Sequence, residues 1–268
     1  MTTLPNNIVD SHLSLFDRDG VKHDPAELGW LLMERGVGLG VLLQANLSAV
    51  DSLWTLEQAE ASDFAGGVAV WIDLASPGAI DELEKMSANR KFRGLCLPVW
   101  REPDNYWLLR EDVLGVLREV ASRGLSVDLA VEPRQLPSVG RLAEMVPDLR
   151  IAIDHLGSPF IAKSEREPWG VYMLNVAPYR NITVKVSGLI TLDVQPGWNV
   201  AHLRLFVESA VRLFGFDRMM FGSDWPNHLQ AATYEEVVEA AIGAARPMTS
   251  AQQDQMLGLT AREFYRLG

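Results

Sequence analysis

The segment "IVDSHLSLFD" (8–17) spaces Asp10, His12 and Ser14 two residues apart. On an extended strand that spacing turns the side chains of positions 12 and 14 to one side. Two histidines at that spacing could share one metal ion; here the second place holds a serine. Further along, "IDHLGSPF" brings His155 and "FGSDWP" brings Asp224. An imidazole exchanges protons near neutral pH, a carboxylate can take a proton from water, and both residue types ligate divalent metals. Lys185 stands among apolar neighbours in "TVKVSG", and an inward ammonium needs a counter-charge or a ligand.

The elements that must position these residues are legible as alternation. Short apolar runs cover 8–12, 36–45, 67–74, 92–100, 125–131, 150–156, 182–189 and 219–225. Strands covered on both faces read as continuous Val/Ile/Leu runs. Helical patterns fill the spacers. Asp24-Pro25 and Ser76-Pro77 supply a cap and a first-turn proline. Leu203, Phe206, Val207, Ala210, Val211 and Phe214 share one helix face. Thr249 with Gln252 predicts a capping box. Eight such units in 268 residues predict an α/β fold, the (β/α)8 TIM barrel, as one domain over 1–268; barrels of this kind take roughly 250 residues. An open doubly wound sheet is the alternative.

In a barrel, chemistry gathers where strands end. The run ends carry Asp10, His12 and Ser14; Gln44 and Asn46; Asp73; Cys96, Trp100 and Arg101; Asp128 and Glu132; Asp154 and His155; Lys185 and Ser187; Ser223 and Asp224. His23, His202 and His228 fall in helices or loops. Asp10 reads as a backbone-bonding residue. "GVGLGV" (36–41) lacks the third glycine of a dinucleotide loop and precedes its strand instead of following one. There is no G-x-S-x-G, Cys-x-x-Cys or His-Glu-x-x-His. Cys96, the single cysteine, precludes an internal disulfide and reads as an inert buried thiol. That suits a reducing compartment, and the polar start "MTTLPNN" lacks a signal-peptide pattern, so a cytoplasmic protein is expected. No apolar run reaches bilayer length. The net charge of −11 argues against nucleic acid or an anionic membrane as partner. A small-molecule substrate is expected; the oligomeric state is not encoded legibly.

Taken together and in order, "IVDSHLSLFD", "DLASP", "KFRGL", "VDLAVEPRQLP", "IDHLGSPF", "VKVSGLIT", "FGSDWP" and the terminal "GLTAREFYRL" resemble the amidohydrolase-related family of metal-dependent TIM-barrel hydrolases. The resemblance is to the lactonase-like branch, with pyrone-dicarboxylate and sugar-acid lactonases. It implies hydrolysis of a small cyclic ester or amide, with the strand-8 aspartate, Asp224, as proton acceptor from water. His155 matches the histidine after strand 6. His12 and Ser14 match the strand-1 pair, with one ligand replaced. Cys96 stands where the family's strand-4 arginine holds a carboxylate, and Thr260 where the family has an asparagine.

Lactone opening needs an activated water, a polarised carbonyl and a protonated leaving oxygen. The expectation is Asp224 as base, with His155 and His12 around the carbonyl. Lys185, Ser14, Arg101 and Trp225 would contact substrate, Arg101 or Arg93 standing in for the missing arginine. A neutral or singly charged lactone suits this set. No cofactor and no metal are expected, with Ser14 in place of a second strand-1 histidine; a divalent metal, zinc or manganese, if present, would be held by His12, His155 and Asp224. A mononuclear metal-dependent amidase, deaminase or decarboxylase, and a non-catalytic small-molecule-binding barrel, are the alternatives.

Overall fold

A βα unit buries one face of its strand under its own helix and must find cover for the other; closing eight strands into a ring provides it. In the computed structural model, which describes residues 7–44, 46–192 and 198–268, the ring is formed. The strands are β1 (Val9–Leu13), β2 (Leu39–Leu43), β3 (Ala65–Val70), β4 (Phe92–Leu97), β5 (Ser126–Leu129), β6 (Arg150–Ile153), β7 (Ile182–Val186) and β8 (Met219–Phe221). They pair in parallel in chain order, as the eight apolar runs predict. The reading of "MTTLPNN" falls mostly on residues 1–6, and the end of the second run on Ala45, outside the described residues.

The doubly wound alternative is excluded by closure. Past the end of β8 the chain turns back to β1: the Asp224 N–H donates to the His12 carbonyl (3.0 Å) and the Ser14 N–H to the Trp225 carbonyl (2.8 Å). The Ser11 hydroxyl adds a bond to the Phe221 carbonyl (2.6 Å). An open sheet would leave these groups for solvent.

Alternation sorts the strand residues. Ile151, Ile153, Ile182, Val184 and Val186 pack outward against the helices. Inward, Val9, Val41, Ala69, Cys96, Ala152 and Met220 line a narrow interior. The last helix, Thr260–Tyr265, sends Phe264 and Tyr265, with Leu267 beyond it, into the same cluster. Asp24 caps the helix Pro25–Glu34 by accepting from the Ala26 N–H, and Thr249 with Gln252 forms the expected box. Ser76 does not cap a helix: its hydroxyl accepts from the Gly78 N–H (3.3 Å), and the helix begins at Ala79. Pro77 therefore sits in a turn ahead of the helix, not in its first turn. Among the described residues no helix is long and apolar enough to cross a membrane.

Close strand approach makes one glycine obligatory. A Cβ on Gly94 would lie 2.1 Å from the Ser126 carbonyl oxygen, a backbone atom held in the β4–β5 ladder. Gly94→Ala is therefore expected to cost about 1–3 kcal/mol or more. Gly115, on the helix Glu111–Ser122 with open space around it, should gain about 0.5–1 kcal/mol as alanine. Urea unfolding of the two variants checks both signs.

Candidate active site

The site is assembled by the junction of first and last strands. One oxygen of the Asp10 carboxylate accepts from the His12 N–H (3.1 Å) and from the Ser223 N–H (2.9 Å). The other accepts from the Tyr234 hydroxyl (3.0 Å). The expectation that Asp10 bonds backbone is met, and its bonds clip β1 to the turn after β8. Burial pushes the Asp10 carboxyl up to about 6, against the lowering effect of those hydrogen bonds.

Two of the three chemical residues sit on left-handed backbone. Asp224 has φ 63° and His155 φ 52°, which lifts their side chains off the strand line at the barrel's C-terminal mouth. Asn227 Nδ2 donates to Asp224 Oδ1 (3.0 Å), and Thr191 Oγ1 to Asp224 Oδ2 (3.2 Å). His155 Nδ1 lies 3.0 Å from Ser187 Oγ. Gly188, at φ +63°, makes room for that ring: a Cβ there would stand 2.4 Å from His155 Nδ1.

His12, His155 and Asp224 converge. One donor atom from each lies within 4.8 Å of the other two. His12 Nε2 is 3.8 Å from Asp224 Oδ1, and the imidazole centroids are 4.6 Å apart. Burial lowers the His12 pKa, with the Asp154 carboxylate opposing it. Two imidazoles and a carboxylate are a donor set that suits zinc or manganese, and their spacing fits one divalent ion; the expectation that no metal is needed gains no support from this geometry. The three residues open into a cavity of about 380 Å³, which Ser14, Asn46, Trp100, Arg101 and Asn227 also line.

Other expected contacts are placed differently. Trp225 is 1 % exposed and packs edge-on against His23 (5.2 Å), so its indole is core under the loop and does not face the cavity. Lys185 lies beneath the cavity floor, 0 % exposed. It is paired with Asp128 and with Asp154 at 3.0 Å, so its ammonium meets carboxylates and not substrate. Burial works against that ammonium, but the two carboxylates raise its pKa above the usual lysine value. Burial alone would raise Asp154 too, yet Lys185 and His12 hold it below the ordinary carboxylate range; Asp128 is pushed up to about 6 by burial. Arg93 is at the opposite end of β4, donating to the Arg90 and Phe92 carbonyls. Arg101 lies at the rim over Trp100 (4.8 Å). Ser14 is at the cavity, but its hydroxyl closes a turn with the Phe16 backbone. Cys96 is on the floor, 1 % exposed, its thiol pushed up by burial. Thr191 and Asn227, which hold Asp224, were not singled out by the sequence; Asn227 was within reach of it, three residues after Asp224.

An eight-stranded parallel barrel with a candidate imidazole–imidazole–carboxylate centre at its C-terminal mouth places the protein in the TIM-barrel class. The amidohydrolase family model matches residues 17–267, and the chain belongs to that family. It is 31 % identical over 202 residues to an L-fucono-1,5-lactonase of Burkholderia ambifaria, covering 75 % of this chain and 69 % of that one. An amidohydrolase from Burkholderia multivorans, solved with bound zinc, superposes with a TM-score of 0.88 at 25 % identity, over 98 % of this chain and all of the other. A probable 2-pyrone-4,6-dicarboxylic acid hydrolase from Acinetobacter baumannii, solved with citric acid, shares the fold (TM-score 0.83, 19 % identity, 97 % of this chain and 100 % of that one).

The Asp10 clip has a measurable pH signature. A folded-state pKa of about 6, above the ordinary 3.8, means that Asp10 contributes stability below pH 4 which is lost as pH rises through 6. Asp10→Asn keeps an oxygen for the two N–H donors and removes the titration. The unfolding free energy of the wild type relative to this variant should fall by on the order of 3 kcal/mol between pH 4 and 7. Urea titrations of both proteins across that range measure it; parallel curves would mean that Asp10 does not titrate there.

Proposed function

We propose that the chain is a lactonase that opens a neutral sugar lactone, with Asp224 as the base. The observation that carries this reading is the convergence of His12, His155 and Asp224 on one cavity. The lactonase relative supports the reaction class. The strand-4 arginine is missing, and the cavity's arginines, Arg18 and Arg101, sit at its rim and not on a strand; this favours a substrate without two carboxylates, because a bidentate clamp needs a fixed guanidinium.

In this reading the lactone carbonyl lies against the two imidazoles, and a water lies at Asp224. Asn227 and Thr191 hold the Asp224 carboxylate with its charge aimed into the cavity. As the water oxygen bonds to the carbonyl carbon, its proton passes to Asp224. His155, whose Nδ1 lies at the Ser187 hydroxyl, turns its other ring nitrogen as a donor to the oxygen on which negative charge grows. The ring C–O bond then breaks and Asp224 returns the proton to the departing oxygen, leaving the open hydroxy acid. Where a divalent ion is bound, His12, His155 and Asp224 would hold it, and it would polarise the carbonyl and acidify water. A cytoplasmic setting accords with the single buried thiol.

The test is turnover of a panel of sugar 1,5-lactones and a pyrone dicarboxylate, followed by acid release. Neutral sugar lactones are expected to turn over fastest, and preference for the dicarboxylate would overturn the substrate reading. Asp224→Asn should fold normally and lose about 10²–10⁴ in kcat; near-native turnover would make Asp224 structural.

Metal affinity is a separate measurement. Ser14→His places a fourth donor at the mouth beside His12 and should tighten zinc binding by about tenfold or more, by analogy with the effect of single ligands and their supports. Calorimetric titration of zinc into both apo-proteins reads it out. Unchanged affinity would mean that position 14 cannot reach the ion.

A further inference from the structure

At the cavity floor, where Asp154 reaches the lining, and beneath it lie three charged side chains that the proposed reaction does not use. Asp128, Asp154 and Lys185 are all 0 % exposed. Removing ions from water costs several kcal/mol each, and apolar replacements of buried ion pairs are often neutral or stabilising. Stability is therefore a poor reason for this arrangement, and its geometry supplies another. The Tyr265 hydroxyl donates to Asp128 Oδ1. Asp128 Oδ1 pairs with Lys185 Nζ. Lys185 Nζ lies 3.0 Å from Asp154 Oδ1, and that same oxygen is 3.6 Å from His12 Nδ1. On the other side of the ring, His12 Nε2 faces Asp224 Oδ1 at 3.8 Å. His12 Nδ1 is buried without a hydrogen-bond partner, as is Asp154 Oδ2. The chain of contacts thus ends on the imidazole nitrogen that faces Asp154, on the side of the ring opposite Asp224.

From this we infer that Asp154 is a positioning residue for His12. It holds the imidazole with its proton on Nδ1 and its lone pair on Nε2, directed at the cavity. Lys185, anchored by Asp128 and Tyr265, holds Asp154 in turn. The separation of 3.6 Å exceeds a hydrogen bond, and such contacts commonly tighten only when substrate is bound. Use of His12 as a ligand requires a free lone pair on Nε2 and a fixed ring, and ring orientation is what an outer carboxylate supplies. For its effect on turnover this inference rests on the lactonase reading; for the state of His12 it does not.

The experiment is nitrogen NMR of the metal-free protein labelled at its five histidines, with the His12 signals assigned by their loss in His12→Gln. Wild-type His12 is expected as the Nδ1–H tautomer. Asp154→Leu removes the acceptor and leaves Lys185 with Asp128 as a balanced pair. His12 should then shift to the Nε2–H form that free imidazole side chains prefer, and kcat on the best sugar lactone should fall about 10–100-fold at nearly constant KM. Asp154→Asn places a carbonyl oxygen between Lys185 and His12; it should retain the Nδ1–H form and recover much of the rate. Wild-type His12 carrying its proton on Nε2 overturns the inference without any variant. An Asp154→Leu protein that keeps the Nδ1–H form also overturns it. Failure of the wild type to open any lactone would count against the proposed function alone, because the tautomers are read without substrate.

Discussion

The meeting of first and last strands is the constraint on which the molecule depends. Closure of the ring is what covers the inner faces of all eight strands, and it is made at a point where little backbone pairing is available, since β8 spans only Met219–Phe221. Asp10 compensates. Its carboxylate gathers two backbone N–H groups from opposite sides of the seam and the Tyr234 hydroxyl from a helix outside it. The same seam brings His12 and Asp224 into one site, because one follows Asp10 by two residues and the other follows Ser223 by one. Closing the fold and building the site are a single event.

Burying the Asp10 carboxylate works against its charged form, yet a neutral side chain with one acceptor could not serve Ser223, His12 and Tyr234 equally. The conflict is settled in favour of geometry. Lys185 shows the same preference on a larger scale. Small inward residues, Ala69, Ala152 and Cys96, leave the space that the ion pairs and the Tyr265 ring occupy. The interior therefore combines a small apolar cluster with buried ion pairs, and the larger apolar core lies between strands and helices, where Ile, Val and Leu face outward from the ring.

Much of this was legible in the sequence, and the failures share a cause. Strands announced themselves because both faces are covered, so their apolar runs are nearly continuous. His12, His155 and Asp224 could be placed at strand ends because a barrel gathers its chemistry there. What a one-dimensional reading could not give was the depth of a side chain along the barrel axis. Lys185 was recognised as an inward charge needing a partner, but whether that partner was substrate or carboxylate depended on Asp128 and Asp154, contributed by other strands. Trp225 failed similarly: it neighbours Asp224, but the left-handed turn at Asp224 sends the indole under the loop. The cap expected at Ser76 failed more locally, by a shift of two residues.

Ser14 shows how the strand-1 pair divides its work in this chain. A histidine there would point at the same mouth as His12, but the serine hydroxyl is engaged with the Phe16 backbone, accepting its N–H and donating to its carbonyl. It therefore shapes the turn that carries Asp17 and Arg18 to the cavity rim. The imidazole at position 12 is left as the single strand-1 donor. Three protein donors are enough for a catalytic ion and leave positions open to water and substrate, whereas a fourth would compete for one of them. They are also enough for a site without an ion, because a strained cyclic ester needs less activation than an amide and two imidazoles with a carboxylate can supply it. The serine thus leaves the strand-1 contribution to one imidazole, and the orientation of that ring, with the Nε2 lone pair turned to the cavity, decides whether it can serve as a ligand.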